Sequence, residues 1–526
     1  MRSDSTIKAR SDSHVGHFLM NYMRKDPDEI CQIDASTGEK ETRRSVLSRS
    51  IRLAQSFRKM GLQPGDVLVL GGRNHLDVHI PFYAALLNGL PLAGVDPFFK
   101  YTEIKQLFKI TEPKIAFCQH EMYEDYRRAA ADLGLKTKIV TFDNGGNSMT
   151  DFMKTYKDTE NEDQFKITEF DVTKVYCWLL STSGSTGFPK VVALSHTNVL
   201  QNMSFFRHEN VNGKGERRCA MNLSSIQWIS ACYNVLLMPI NHIKLQTSAP
   251  ATTEHVIDLI NKYKPITTFT TANLLSPILH HEKHCDLTCF DVIMMAGSKI
   301  HLEFLNNLRQ RVRKDTLLIQ GYGQTESGGV VLEPSPNGPL GNLGEPKPEY
   351  DVKLVDPDTG ITITEPNVKG ELWVKGPTME CYYNNPKATA EAYSEDGYLK
   401  TGDLLYRDEN NYYFFVDRLK MLLKYRNYQV IPPEIEHVIM THKGVEDVCV
   451  TGVPHPDDGE RVVACVVRKP GATVTAQEIK DLVASQLSVY KHLHGGVAFF
   501  DLLPITSTAK IDRNKVKEFV RTAKIE

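Results

Sequence analysis

The chain has 526 residues, with 62 Lys and Arg against 64 Asp and Glu, a formal net charge of −2. That length exceeds what one hydrophobic core supports and implies two or more domains, which excludes a small binding module. The charge balance lacks the basic excess of a nucleic-acid binder, and 41% hydrophobic with 24% charged residues excludes wholesale disorder. Ten cysteines lie between Cys31 and Cys465 without a CxxC pair, as expected where thiols stay reduced. The first residues, MRSDSTIKARSDSHVGH, have no apolar core of a secretory signal. The most apolar stretch, 80–95, is interrupted by Asn88 and Pro91, so no transmembrane segment is expected. The final AKIE is not a Ser-Lys-Leu type of peroxisomal address, and a cytoplasmic location is the expectation. No motif speaks to oligomeric state.

From Gly65, the runs 67–70, 78–87, 91–95, 101–110 and 114–118 alternate β-rich and helical patterns, which predicts a parallel α/β sheet. The polar stretch 143–164, carrying GGNS and TENEDQ, reads as a long surface loop. An apolar strand follows at 175–180, and a second α/β block runs to Ile319, where a strand at 316–320 feeds into GYGQTESGG. After Pro334, Gly, Pro and alternating apolar residues predict short antiparallel strands in a barrel or sandwich. From about Lys420 the pattern is a small α+β domain: a helix from Pro432, strands at 448–453 and 462–467, and a helix over 476–490.

Four segments carry chemistry. The first, STSGSTGFPK at 181–190, lies between a buried strand and the helix-like ALSHTNVLQNM. Its Thr182, Ser183, Gly184, Ser185, Thr186 and Gly187 offer N–H groups and hydroxyls, and Lys190 adds a cation, so polyphosphate is the natural ligand. It is not a Walker A loop, and the plainer alternative is a flexible surface turn. The second, 320–329, sets Tyr322, Gly323, Thr325 and Glu326 beyond a strand end, where open α/β sheets bind ligands. Tyr322 can stack on a base and Glu326 can hold Mg²⁺; the alternative is a helix N-terminus capped by Thr325. In the third, GYLKTGD with Asp417 and Arg418, Asp403 can accept from ribose hydroxyls and Arg418 can grip ribose or phosphate. The fourth is PITSTAKIDR, carrying Lys510. Taken alone, Asp403, Arg418 and Lys510 read as surface charges. A further cluster, LHHEKHCDLTC, places the zinc-ligand types His280, His281, His284, Cys285 and Cys289 close together, but the run is polar and follows an apolar helix, so the reading is a helix end with exposed histidines.

In this order the four segments resemble the adenylate-forming family of acyl-CoA synthetases, coumarate-CoA ligases, beetle luciferases and peptide-synthetase adenylation domains. VALSHTN, KYRNYQVIPPEIE and GVPHPDDGE are most similar to insect luciferase-like acyl-CoA synthetases. The resemblance implies two flavodoxin-like α/β subdomains plus a distorted β-barrel over 1–419, and a mobile α+β lid over 420–526 hinged at Lys420. It also implies a reaction. A small-molecule carboxylic acid, by default a fatty acid, attacks the α-phosphate of ATP with Mg²⁺, releasing pyrophosphate and leaving an acyl-adenylate, and coenzyme A then takes the acyl group with release of AMP.

By the same resemblance Lys510 bridges substrate carboxylate and phosphate, Glu326 holds Mg²⁺, and Thr182, Thr186 and Lys190 handle the outer phosphates. Tyr322 stacks on adenine, with Gly297 and Ser298 opposite, and Asp403 binds the ribose. Gln227, Trp228 and Ser230 belong to the acyl-binding stretch LSSIQWISA, and Lys424 and Asn427 to a loop that serves the thioester step. The chain departs from the family pattern at Val191, Gln227, Asn427 and Ala509. Two rivals follow: a luciferase-like monooxygenase, and a degenerate protein that binds nucleotide without turnover.

Overall fold

A computed structural model describes residues 14–526 except 98, 100, 143–145, 159–160, 183–189, 204–217, 298–299, 301, 335–337, 426–427, 456–457, 488 and 507–510. The side chains at 241, 273, 420, 424, 428 and 429 are also outside the description. Two compact units form. The first is Met1–Lys353 with Trp373–Thr401 and Asn410–Tyr413; the second is Leu354–Leu372, Gly402–Glu409 and Phe414–Glu526.

In unit 1 the expected alternation folds as read: strands Leu68–Gly71, Leu92–Val95, Ile115–Cys118 and Lys138–Thr141 alternate with helices His79–Asn88, Tyr101–Thr111 and Tyr123–Asp132. These strands are parallel. Successive side chains point to opposite faces, so Leu68 and Leu70 join a cluster with Phe57, Ile80 and Leu87. Val67 and Val69 join another, with Ile104, Phe108 and Tyr126. Burial of both faces explains why these strands are apolar throughout rather than alternating. The seven-stranded sheet has the order Cys381–Tyr382, Lys190–Ser195, Tyr176–Thr182, Leu92–Val95, Leu68–Gly71, Ile115–Cys118, Lys138–Thr141.

A second seven-stranded sheet has the order Leu317–Gln320, Val292–Met295, Thr267–Thr270, Cys219–Met221, Ile243–Gln246, Ile30–Asp34, Lys40–Thr42. All its pairs are parallel except the last. Met221, Ile293 and Met295 pack on the helices Thr253–Tyr263, Ala272–Leu279 and Leu302–Arg311. Met294 packs on the first sheet's cluster, with Cys232, Tyr233 and Leu236 of the helix Ile229–Asn241.

The stretch 143–164 is not a plain loop. Its described part holds a helix, Met149–Thr155, capped by Ser148 and anchored by buried Met149 and Phe152, and a 3₁₀ turn at Glu162–Gln164. Where a barrel was expected, open sheets form. Tyr322–Gln324, Gly329–Glu333 and Glu345–Pro346 make one, and Thr362–Ile363, Asp351–Val355, Gly370–Lys375, Leu399–Arg407 and Tyr413–Arg418 make another in that order. Among the described residues neither closes on itself, and strands as short as two residues leave too few pairings to wrap a cylinder.

Unit 2 contains a sheet ordered Tyr428–Val430, Leu423–Tyr425, Gly459–Arg468, Val445–His455, with Gly496–Phe500 parallel to Gly459–Arg468. Helices Pro432–Met440, Ala476–Gln486 and Arg513–Val520 complete it. The helix expected over 476–490 starts at a Thr475–Glu478 capping box but stops at Gln486, where Leu487 turns extended. No helix among the described residues is long and apolar enough to cross a membrane.

Candidate active site

The parallel strands Val292–Met295 and Leu317–Gln320 are neighbours in the sheet, with Met295 opposite Gln320. Gly297 and Tyr322 therefore leave adjacent carboxyl ends, the edge at which open α/β sheets receive ligands. The Gly321 N–H donates to the Met295 carbonyl at 2.9 Å, fixing the exit direction. Gly297 turns at φ 90°, a left-handed conformation that favours glycine. Ser298 lies outside the described residues. Tyr322 is only 6% exposed.

The segment after Tyr322 is a β-hairpin, not a Thr325-capped helix. Tyr322–Gln324 pairs antiparallel with Gly329–Glu333, and 325–328 form the turn. The backbones approach so closely that a Cβ on Gly323 would sit 2.0 Å from the Gly329 carbonyl oxygen. Ser327 clamps the turn: its hydroxyl accepts from the Gln324 N–H at 2.9 Å and lies 2.8 Å from the Gly329 carbonyl. Tyr233 and Tyr350 donate to the Gly328 and Ser327 carbonyls, each at 2.7 Å, and the Met379 N–H donates to the Glu326 carbonyl at 2.8 Å. Glu326 is thus held by a braced turn, with its carboxylate half-buried.

The Ser/Thr/Gly-rich segment also differs from its expected setting. Lys190–Ser195 is a strand antiparallel to Tyr176–Thr182, with Thr182 opposite Lys190, and the helix begins only at His196 behind a Ser195–Asn198 capping box. Val191 to Leu194 are buried in the sheet, which overrides the helix-like pattern read from Ala193 onward. Ser183, Gly184, Ser185, Thr186 and Gly187 lie outside the described residues. Lys190 holds its ammonium 4.5 Å from the ring centroid of Tyr382, a cation–π contact. The Tyr382 hydroxyl donates to Glu326 Oε1 at 3.0 Å. Burial, reinforced by the Glu326 charge, raises the Tyr382 pKa far above the usual phenol range, so it stays a proton donor. Lys190 and Glu326 thus converge on a residue that the motif analysis did not single out; the sign available was Tyr382-Tyr383 in a short run closing CYYNNP.

Gln227 is 7% exposed and donates to the carboxylate of Asp96, itself 4% exposed at the end of the Leu92–Val95 strand. A Cβ on Gly94 would lie 2.6 Å from Gln227 Cα, so the segment 226–227 crosses directly over that strand. Trp228 caps the helix Ile229–Asn241 without a side-chain bond, and Ser230, like Trp228, is half-buried. Asp96 is the second residue that sequence reading missed; its signal was an acid at the end of an apolar strand.

In unit 2, Arg418 Nε lies 3.2 Å from Asp403 Oδ1, with the carboxylate 3% exposed and the guanidinium 56% exposed. The Arg418 N–H donates to Asp417 at 2.8 Å, and the Gly402 N–H to Glu371 at 2.8 Å. Lys420 falls in the 3₁₀ turn Leu419–Met421, and Lys424 lies in a strand opposite Gln429. Asn427 and Lys510 lie outside the described residues.

The LHHEKHCDLTC cluster disperses. His280, His281 and His284 are exposed after the helix Ala272–Leu279, while Cys285 turns into the core beside Leu287 and Phe290. Among the described residues, the His/Cys/acid group close enough to share an ion is His14, His17 and Glu169. There the His14 ring nitrogens bond the Gly16 N–H at 3.0 Å and the Thr168 carbonyl at 3.1 Å, and His17 Nδ1 accepts from the His14 N–H at 3.3 Å. That is a helix cap, not a ligand set.

Residues 20–383 match the family model of the AMP-binding enzymes, and residues 434–510 that of the AMP-binding enzyme C-terminal domain. The chain is 31% identical to luciferin 4-monooxygenase of Photinus pyralis, over 98% of this chain and 96% of that protein. It is 31% identical to acyl-CoA synthetase ACTT5 of Alternaria alternata, over 92% and 86%. The fold matches the crystal structure of ATP-bound MatB from Rhodopseudomonas palustris with TM-score 0.86 and 22% identity, over 97% and 99%. The chain belongs to the AMP-binding, adenylate-forming enzyme family.

Proposed function

We propose that this AMP-binding enzyme joins a carboxylic acid to ATP as an acyl-adenylate and then transfers the acyl group to coenzyme A, releasing pyrophosphate and AMP. The observation that carries the reading is the meeting of Lys190 and Glu326 at Tyr382, with Glu326 in the turn that follows the Tyr322 strand. A substrate carboxylate is ionised at neutral pH and needs no general base, so the protein's work is positioning and charge neutralisation.

Lys190, with Thr182 and Thr186, takes the outer phosphates of ATP. Glu326 suits Mg²⁺, a hard ion held by one or two carboxylates together with phosphates and water. When bound, that ion neutralises phosphate charge. Tyr322, Gly297 and Ser298 take the adenine, and Asp403 with Arg418 the ribose. Lys510 neutralises the charge that builds between carboxylate and α-phosphate. For the second step Lys420 serves as the hinge of a lid over 420–526, and the loop of Lys424 and Asn427 admits the thiol. The acid is assigned to the Gln227, Trp228 and Ser230 segment, with fatty acids as the proposed class and the cytoplasm as the proposed location.

The test is to incubate the protein with Mg·ATP and a panel of fatty and aromatic acids, with and without coenzyme A, following pyrophosphate, AMP and acyl product by mass spectrometry. Acid-dependent pyrophosphate release, with acyl-CoA formed only when coenzyme A is present, is the expected result. ATP binding without pyrophosphate release from any acid would overturn it in favour of a binding protein. The likeness to luciferin 4-monooxygenase supports oxygen-dependent light emission as a second reading, and luminometry with ATP, luciferin and oxygen decides it.

A further inference from the structure

Lys190 and Glu326 carry opposite charges and meet the same side chain, yet among the ion pairs of the described residues they are not joined to each other. In an empty site a lysine and a carboxylate that can reach one another tend to pair, and a direct pair here would consume both the phosphate cation and the metal-binding acid. Both instead meet Tyr382, which offers a ring face to the ammonium and a hydroxyl to the carboxylate.

The backbone fixes this ring firmly. Cys381–Tyr382 is a two-residue edge strand pairing Tyr382 with Val192, two positions along from Lys190. On either side, the Glu380 N–H donates to the Ala193 carbonyl at 2.9 Å and the Tyr383 N–H to the Val191 carbonyl at 2.7 Å. The Tyr382 N–H donates to the Thr389 hydroxyl at 3.0 Å, tying it to the helix Pro386–Ala392. Glu326 is tied to the same chain segment through the Met379 N–H. The ring is 8% exposed, so it has little room to swing away.

We infer that Tyr382 is a positioning residue that spaces Lys190 from Glu326, holding each aimed and unneutralised for Mg·ATP. This rests on the assignment of Lys190 and Glu326 to phosphate and Mg²⁺ made above. The hydroxyl fixes Glu326 by one oxygen and so directs the other, while the ring face parks the Lys190 ammonium where phosphate can displace it without first breaking an ion pair. Tyr382 does not touch the reacting atoms.

Two variants separate the two contacts. Tyr382→Phe keeps the ring and its packing but releases Glu326; Tyr382→Leu removes both contacts and lets Lys190 fall onto Glu326. The measurements are Mg²⁺ titrations of ATP binding by calorimetry, and KM for ATP against kcat for pyrophosphate release. Tyr382→Phe is expected to raise the Mg²⁺ midpoint about tenfold while leaving KM for ATP at saturating Mg²⁺ within about twofold. Tyr382→Leu is expected to raise both, with Tyr382→Phe rescuing the KM.

Both variants matching wild type in Mg²⁺ and ATP dependence would overturn the spacer role alone. If the wild-type protein binds Mg·ATP but activates no acid, the adenylation reading falls while the binding titrations still decide the role of Tyr382. If it does not bind Mg·ATP, both fall.

Discussion

The two seven-stranded sheets of unit 1 share a parallel architecture but not a core chemistry. Around Leu68–Gly71 and Ile115–Cys118 the first sheet buries Leu, Val, Ile, Ala and Phe at essentially zero exposure. The second buries Lys244 and Gln246 at 0%, Gln32 at 1% and Thr268 at 2% on its strands. Lys244 contacts Nδ1 of His79, also fully buried, and Gln32 donates to Glu41 at 2.5 Å, which in turn receives Arg49 at 2.7 Å. One sheet is held by apolar burial, which is indifferent to pH. The other carries ionisable groups whose protonation is linked to folding.

The first sheet should therefore break most severely by cavity formation. Phe117 is fully buried, with ring centroids of Phe57 and Phe142 each 6.0 Å away. Phe117→Ala is expected to lower unfolding free energy by about 4 kcal/mol in urea titrations, with the same loss from pH 7 to pH 9. The second sheet should answer to pH. Burial, only partly offset by the charges of Cys31 and Glu41, pulls Lys244 down from 10.5 to about 7. Between those values the unfolded chain holds a proton that the folded chain has released, so stability rises as pH climbs from about 7 towards 10.5. The limiting slope is about 1.4 kcal/mol per pH unit, which Lys244→Met should flatten. A persistent slope in that variant would place the proton elsewhere. The smallest effect belongs to the first sheet's margin. There the Ser195 hydroxyl accepts from the Asn198 N–H at 3.1 Å, and Ser195→Ala should cost about 1 kcal/mol with no change in pH profile.

The same contrast explains what could be read from sequence. The strands and helices from Gly65 to Cys118 were legible because burial on both faces leaves an apolar run that little else produces. Met149 and Phe152 were passed over because two anchors in a polar stretch make a weak signal, although Ser148 marks the cap. The sequence left a Thr325-capped helix open as an alternative because Thr caps both helices and turns, while Gly328 and Gly329, at φ 77° and 152°, were the guide to the turn. In the site, Lys190, Glu326 and Tyr322 stood out because each follows or opens a strand in an unusual loop. Tyr382 did not, since its partners reach it only through the pairing of an edge strand with residues far away along the chain. Lys244 was hidden inside a run whose neighbours are apolar.

The hairpin that carries Lys190 has one further consequence. Its two strands are registered against each other, Thr182 opposite Lys190, and the antiparallel ladder runs on from there to Ser195. The lysine's place is set by that ladder and by the Tyr382 edge. A slip of one residue in that ladder would turn the Lys190 side chain to the opposite face of the sheet, so the pairing itself decides which side the cation serves.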